Sequence, residues 1–525
     1  MKRGYLAAAL PLVFLGGIAY FFRPWIHGFL LSFYVNPFIL QAAVMAAAAG
    51  GLVYWWRKRS EPEEEEKDEG VDDWKKVKLD GRVVNVAFMV FFVMLVGGGV
   101  ANTAFTNAVM AEELEQDVTE IDSLPDIDNE NPRILPETVA REFAENSLQE
   151  PRHRLAGTDI AITDNGTPMW SFPLQPDGGI NTFIINQKGA AFADMTTSSS
   201  DISYSEQEME VGIGMQVFDN INWVQKKERF WVNYEDHFVL EHEGENYIAT
   251  PYIEYDFRFT FPVVHTVPEW GGVALMDSEG DLEYVDSADV RNHEVLGDQR
   301  NYPFDLARAY VSSMEYREGI INKWFFHENQ LEVAPVPGFD NDQPFMILTE
   351  DNPELFVATE PYGQASGLFE IWTVDAVTGE YEVYRLDRNE GLIGANRAVN
   401  FVRRANSRVN WADQDSDTGF SPIEPLPVIV NDQLYWQVRV VPQDSAGIAF
   451  TSFVDAETSD VYTAQNDQDI RDFLEGQNIN QTTDMNQTES GDQTGNIEIS
   501  IIEDGEVVDT VTTEDRDFDI RVREK

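Results

Sequence analysis

Residues 83–117 read VVNVAFMVFFVMLVGGGVANTAFTNAVMAEELEQD. The stretch opens as an uncharged apolar helix, long enough to cross about 30 Å of hydrocarbon. It closes on Glu112, Glu113, Glu115 and Asp117. This change of preferred solvent divides the chain. Residues 1–110 hold 11 Lys/Arg against 10 Asp/Glu, whereas residues 111–525 hold 26 against 82. A nearly neutral apolar part therefore precedes a very acidic one.

Working back toward the N-terminus, two more apolar segments precede this one, Tyr5–Phe22 and about Pro37–Trp56. Asn36 can cap the second, Pro37 suits a first helical position, and Trp55 and Trp56 suit a membrane interface. Between them Trp25–Val35 is apolar but short, which predicts an interfacial or re-entrant piece. Residues 57–82 carry eight Lys/Arg. The excess of cations makes this loop cytoplasmic, together with Lys2 and Arg3. Three crossings then place residues 111–525 outside. Ala43, Ala47 and Gly51, and likewise Gly97 and Ala101, are spaced for close helix contact in lipid. No Asp, Glu, Lys or Arg lies within a span, where a transport path usually needs one.

The net charge of −55 and pI near 4.2 accompany 43% hydrophobic and 12% aromatic residues, so the acidic part can bury a core. Acidity without loss of aromatics distinguishes it from a disordered acidic chain. In multimolar salt such carboxylates are screened, and the pattern points to a haloarchaeal source. It argues against nucleic-acid binding, which needs clustered cations. The chain has no cysteine, which excludes disulfides and thiolate chemistry.

Residues 111–136 are acidic and contain Pro125, Pro132 and Pro136, and they read as a stalk. Beyond them the expected fold class is α+β, with antiparallel-sheet modules and short helices. An internal repeat runs through it. Its copies open on Asp159–Thr163 with a turn at Asp164–Gly166, on Phe345–Leu348 with a turn at Glu350–Asn352, and on Val428–Val430 with a turn at Asn431–Asp432. Each continues into a further hairpin. These are Thr182–Ile185 with Lys188–Gly189, Ile371–Gly379 leading to Tyr381–Val383, and Phe450–Thr458 leading to Val461–Tyr462. Amphipathic helices precede the copies at Glu137–Leu148, Phe304–Tyr316 and Ala395–Ala405.

The helix, the Tyr/Trp strand and the closing Val-Asp-Ala-x-Thr-Gly hairpin (Val374–Gly379, and Val454–Ser459 with serine last) resemble PepSY-type domains, small α+β modules of exported proteins. The first copy lacks the closing motif. The resemblance implies the module's shape and no catalytic residues. The expected modules are 137–199, 303–390 and 391–463, with a sheet-rich insertion at 200–302. An Asn/Gln-rich linker (464–492) leads to a C-terminal β-segment (493–525). The insertion's Trp223, Trp231, Phe257, Phe259 and Trp270 read as core or sheet-face aromatics, with carbohydrate stacking as the alternative.

Candidate chemistry is sparse. His237 and His242 are five apart and do not share a strand face. Asp413, Asp415, Asp417 and Glu424 resemble a calcium loop with oxygen ligands at positions 1, 3, 5 and 12, although Gly419 comes one place late. An acidic surface loop is the alternative. Asn165, Asn480 and Asn486 stand in glycosylation acceptors. No cofactor other than calcium is implied, and no enzyme class stands out. The expected function is an envelope or virion-type scaffold, with membrane lipids, other surface proteins and copies of itself as partners. The alternative is a regulator of an extracellular peptidase.

Overall fold

A computed structural model describes residues 14, 16–60, 81–123, 131–336, 342–349, 352–363, 367–386, 391–412, 418–431, 433–477, 479, 497–503 and 506–513. It forms two compact units, Met1–Thr482 and Thr483–Lys525.

Two helices are long and apolar enough to cross a membrane, Phe38–Ser60 and Gly81–Asp117. Fewer than a fifth of the positions in either apolar window are buried. Val44, Leu52, Phe88, Phe92, Val93 and Val100 point away from the protein, unlike the side chains of a soluble core helix. Most of Tyr5–Phe22 lies outside the described residues. The two helices meet through Ala42, Ala46 and Gly50 on one side and Ala87 and Gly98 on the other. A Cβ on Gly98 would press on the Phe38 ring at 3.1 Å, and one on Gly50 would lie 3.3 Å from Ala87 Cβ. Gly51 and Gly97 face open space. The sequence spacing was right, but the seam lies one residue over on each helix, because close packing selects the stripe that meets its partner's small residues.

Arg23–Val35 is a helix lying against the folded body, with His27 Nε2 3.1 Å from the Val232 carbonyl. Arg23, His27 and Leu31, four apart, form its buried face.

The long helix does not stop at the apolar window. Its last turns enter a core, where Ala111 and Leu114 pack with Val311, Met314, Leu331, Val357, Trp372 and Val383. Glu115 bonds Arg385 at 2.9 Å and lies 3.3 Å from Arg317. The strand Thr119–Ile121 then pairs in parallel with Tyr381–Arg385. Residues 132–136 are buried. The expected acidic stalk is thus woven into the fold. Its apolar positions Ala111, Leu114, Ile134 and Leu135 find cores, and Glu113, Glu115 and Glu120 find arginines. Residues 124–130 lie outside the described residues.

Three units of one design follow. Each has a helix and then a four-stranded antiparallel meander. The helices are Glu137–Ser147, Phe304–Ser313 and Ala395–Ala405. The meanders run Asp159–Ile162, Pro168–Pro176, Gln187–Asp194 and Ile202–Met209 in the first. They run Phe345–Leu348, Pro353–Pro361, Glu370–Asp375 and Tyr381–Arg385 in the second. In the third they run Phe420–Val430, Gln433–Pro442, Phe450–Asp455 and Val461–Ala464.

One hydrogen-bond scheme ties helix to sheet in all three. The carbonyl just past the third strand accepts from the backbone just ahead of the helix: Met195 from Ile134 and Leu135, Ala376 from Asn301 and Tyr302, and Ala456 from Ile393. The Asp375 and Asp455 carboxylates each accept two backbone N–H groups of the following turn at 2.8–2.9 Å. Gly379 and Ser459 close these turns at φ 76° and 67°.

The first copy departs from expectation. Thr182–Ile185 is not a strand; Asn181–Phe183 is a short 3-10 turn. The third strand starts at Gln187, and Lys188–Gly189 forms a bulge inside it. Asp177-Gly-Gly179, just after the second strand, delays its start. Ile202–Met209 pairs with that strand and so belongs to the first module's sheet.

The insertion is a five-stranded sheet dominated by the long hairpin Glu245–Thr260 and Val263–Met276. At the other end of the unit, within the expected linker, Asp467–Leu474 is a helix that buries Ile470, Phe473 and Leu474 on Val428, Val430 and Phe453. In the second unit Ile497–Glu503 and Glu506–Thr513 form a hairpin; Phe518–Val522 lies outside the described residues.

Leu114→Ala should lower the stability of the folded body by about 2–5 kcal/mol, the range for a truncated buried leucine. Denaturant unfolding of the detergent-solubilised protein in high salt reads this out, and an unchanged midpoint would show that the helix end is not part of the core.

Candidate functional site

Where the three modules and the insertion meet, they enclose a cleft of about 470 Å³. Its inner wall is built on arginines. Arg133 comes from the buried segment before the first helix and sits 5.1 Å from the Trp170 ring. It donates to Glu424 Oε1 at 2.8 Å and to the Met346 carbonyl at 3.0 Å. Arg439, fully buried behind it, donates to the Ile134 carbonyl at 3.1 Å and to the Arg133 carbonyl, and lies 3.5 Å from Glu424 Oε2. One carboxylate thus serves two guanidiniums. A bulge in the strand Phe420–Val430 presents it, with Glu424 at φ 43°.

Arg300 pairs with Asp159. It also donates to the Tyr302 carbonyl at 3.2 Å and stacks over Phe304 at 4.5 Å. Its Nε has no hydrogen-bond partner among the described residues. Buried charges of this kind hold only while every partner is present.

The outer wall carries carboxylates together with Arg308, which lies 3.5 Å from Asp342. Glu235 and Asp236 follow the short strand Asn233–Tyr234, Asp305 lies in the first turn of Phe304–Ser313, and Asp342 lies beyond. Burial, reinforced by the Asp305 carboxylate, pushes the Glu235 carboxyl up to about 7. No serine, histidine or lysine is among the lining residues. The cleft thus presents carboxylates at its mouth and paired guanidiniums behind them.

Asp413, Asp415 and Asp417 lie outside the described residues, as do Asn480 and Asn486. Glu424 is the carboxylate committed to Arg133 and Arg439, in a strand rather than a loop. Asn165 is exposed in the turn after Asp159–Ile162. His237 is half-buried, 2.7 Å from Thr250 Oγ1 and 3.1 Å from the Asn222 amide. Burial, with nearby Lys226, draws it down to about 4, so it is neutral near pH 7.

His242 lies 3.0 Å from Asp164 through Nδ1. With Glu243 and Glu294 it forms the group among the described residues whose ligand atoms, all within 4.8 Å of one another, could hold a metal ion. Sequence reasoning missed both this group and the cleft. The signal for the cleft was an arginine in apolar surroundings, Arg133 within Pro132–Pro136 and Arg439 within Val438–Val441.

No protein-family model matches this chain, and no curated protein matches it significantly.

A raised carboxyl stabilises the fold only while protonated. Glu235 therefore contributes fully at low pH, and that contribution is lost as pH rises through about 7. Glu235→Gln should stabilise the protein by about 1–3 kcal/mol at pH 8 and change it little at pH 5. Thermal unfolding at both pH values in high salt checks this; equal effects at both would contradict it.

Proposed function

We propose that this chain is a membrane-anchored scaffold of a haloarchaeal cell envelope or a virion-type assembly. Three crossings carry it, with the N-terminus in the cytoplasm and the three-module body outside. One observation carries the reading. The helix Gly81–Asp117 has a lipid-type apolar surface at one end and a packed core at the other, which suits a body held at a set place on a membrane. The exposed Ile321, Trp324, Phe325 and Phe326 beside this core add an apolar patch of the sort that protein partners cover.

The lack of native cysteine makes sidedness testable directly. Asp201→Cys should react with a membrane-impermeant maleimide on intact cells, and Glu65→Cys only after permeabilisation. The reverse pattern would overturn the topology. For the scaffold role, full-length protein extracted in mild detergent at high salt should run as a defined homo-oligomer or with constant envelope partners. Recovery as a lone monomer, or with a peptidase whose turnover the body changes, would overturn it, the latter in favour of the peptidase-regulator reading.

A further inference from the structure

The hairpin Glu245–Thr260 and Val263–Met276 reaches well beyond the rest of its sheet and turns at Phe261-Pro262. Side chains alternate along a strand, so Phe257, Phe259 and Phe261 share one face. They are 45%, 66% and 83% exposed. On the opposite face the same strand places Asp256, Arg258 and Thr260, and there Arg258 binds Asp256 at 2.7 Å and Glu113 of the long helix at 3.3 Å. A strand end with three bare phenylalanines on one face is costly in water, at about 25 cal/mol per Å² of apolar surface.

The position of this tip is set by bonds to the apolar helices. In the first turn of Phe38–Ser60, Gln41 donates through Nε2 to the Pro262 carbonyl at 2.5 Å. It accepts from the Val264 N–H at 3.2 Å through Oε1. Thr266 Oγ1 donates to the Val35 carbonyl at 2.7 Å, and Thr106 Oγ1 to the Thr266 carbonyl at 2.8 Å. The tip therefore stands level with the start of the apolar window Phe38–Arg57, not above it.

The helix Arg23–Val35 continues the same surface. Tyr34 stacks on Trp231 at 5.0 Å and meets Phe257 edge-on at 4.9 Å. His27 Nε2 lies 3.1 Å from the Val232 carbonyl. With Arg23 and His27 turned to the body, this helix presents Trp25 and Phe29 outward. Aromatic side chains at the ends of apolar helices are the residues that bilayer interfaces collect.

We infer that the hairpin tip Phe257–Pro262 and the outer face of Arg23–Val35 form a second membrane contact, seated in lipid beside the spanning helices. The inference rests on the reading that Phe38–Ser60 and Gly81–Asp117 cross the bilayer. The occupant is the bilayer because the patch is continuous with the apolar surface of both helices and is bonded to them. Its role is to fix the height and tilt of the body, which two helices alone leave free to rock.

Spin labels on single cysteines test this in the full chain, reconstituted into phosphatidylglycerol vesicles in multimolar KCl. Collision with oxygen, which partitions into lipid, is compared with collision with a polar nickel chelate. Labels at Phe261→Cys and Phe259→Cys should favour oxygen several-fold, as should one at Val93→Cys on the long helix; Asp201→Cys should favour nickel. If Val93 favours oxygen while both tip labels favour nickel, the hairpin inference fails and the spanning reading stands. If Val93 favours nickel, the spanning reading itself fails. Strong dipolar broadening between tip labels of neighbouring molecules would mean that a second copy covers the patch, which also overturns the inference.

Discussion

One helix answers to two solvents. Gly81–Asp117 has 37 residues and so is about 55 Å long, of which about 30 Å would match a bilayer core. The rest must be satisfied by protein, and the sequence changes accordingly. After Val100 the large apolar residues Phe105, Val109 and Met110 are interspersed with Ala, Thr and Asn, and an acidic turn follows whose Ala111 and Leu114 face inward. Because no break separates the two regimes, the position of the second module is tied to the axis of the helix. Thr119–Ile121 then adds a strand to that module's sheet, and Glu113 reaches the hairpin of the insertion. Module, insertion and apolar helix are thus fixed to one rod.

The body repeats one solution three times. A helix covers one face of a four-stranded meander, and the backbone ahead of the helix caps the carbonyl after the third strand. Tryptophans reinforce the joint in two copies. Trp170 Nε1 donates to the Leu135 carbonyl and Trp436 Nε1 to the Ile393 carbonyl, each two residues ahead of its helix. A buried indole needs such a partner, and this one also fixes where the helix begins. The first copy keeps the joint while lacking the Asp-Ala-x-Thr-Gly turn, so the backbone scheme and not the turn motif defines the unit.

Much of the fold was legible because it rests on local chemistry. Apolar length revealed the two described membrane-type helices, and 3.6-residue periodicity found all three module helices within a few residues. The Asp375 and Asp455 turns were visible because aspartate, a small residue and a left-handed closing position work together within six residues. What failed was non-local. Thr182–Ile185 has strand composition, but Asp177–Gly179 starts a different path. Residues 111–136 are acidic on average, while their sparse apolar residues decide where they go. Asp467–Leu474 sits in a polar tract, yet Ile470 and Phe473 suffice to dock it. The cleft was invisible because Arg133, Asp159, Arg300, Glu424 and Arg439 are brought together from across some 300 positions, and the two carboxylates among them are lost among the 82 of residues 111–525.

The Arg133–Glu424 and Arg439–Ile134 contacts join positions 291 and 305 residues apart. Synthesis delivers the first partner long before the second. Until strand Phe420–Val430 emerges, the segment ahead of the first module has no carboxylate to balance its guanidinium, and burying that charge without a counter-charge is costly. The first module can form its own meander early, but its N-terminal border stays open until the last module arrives. Maturation of this body is therefore timed from its C-terminal side, and a chain cut short before Glu424 would leave even its earliest-made part unfinished.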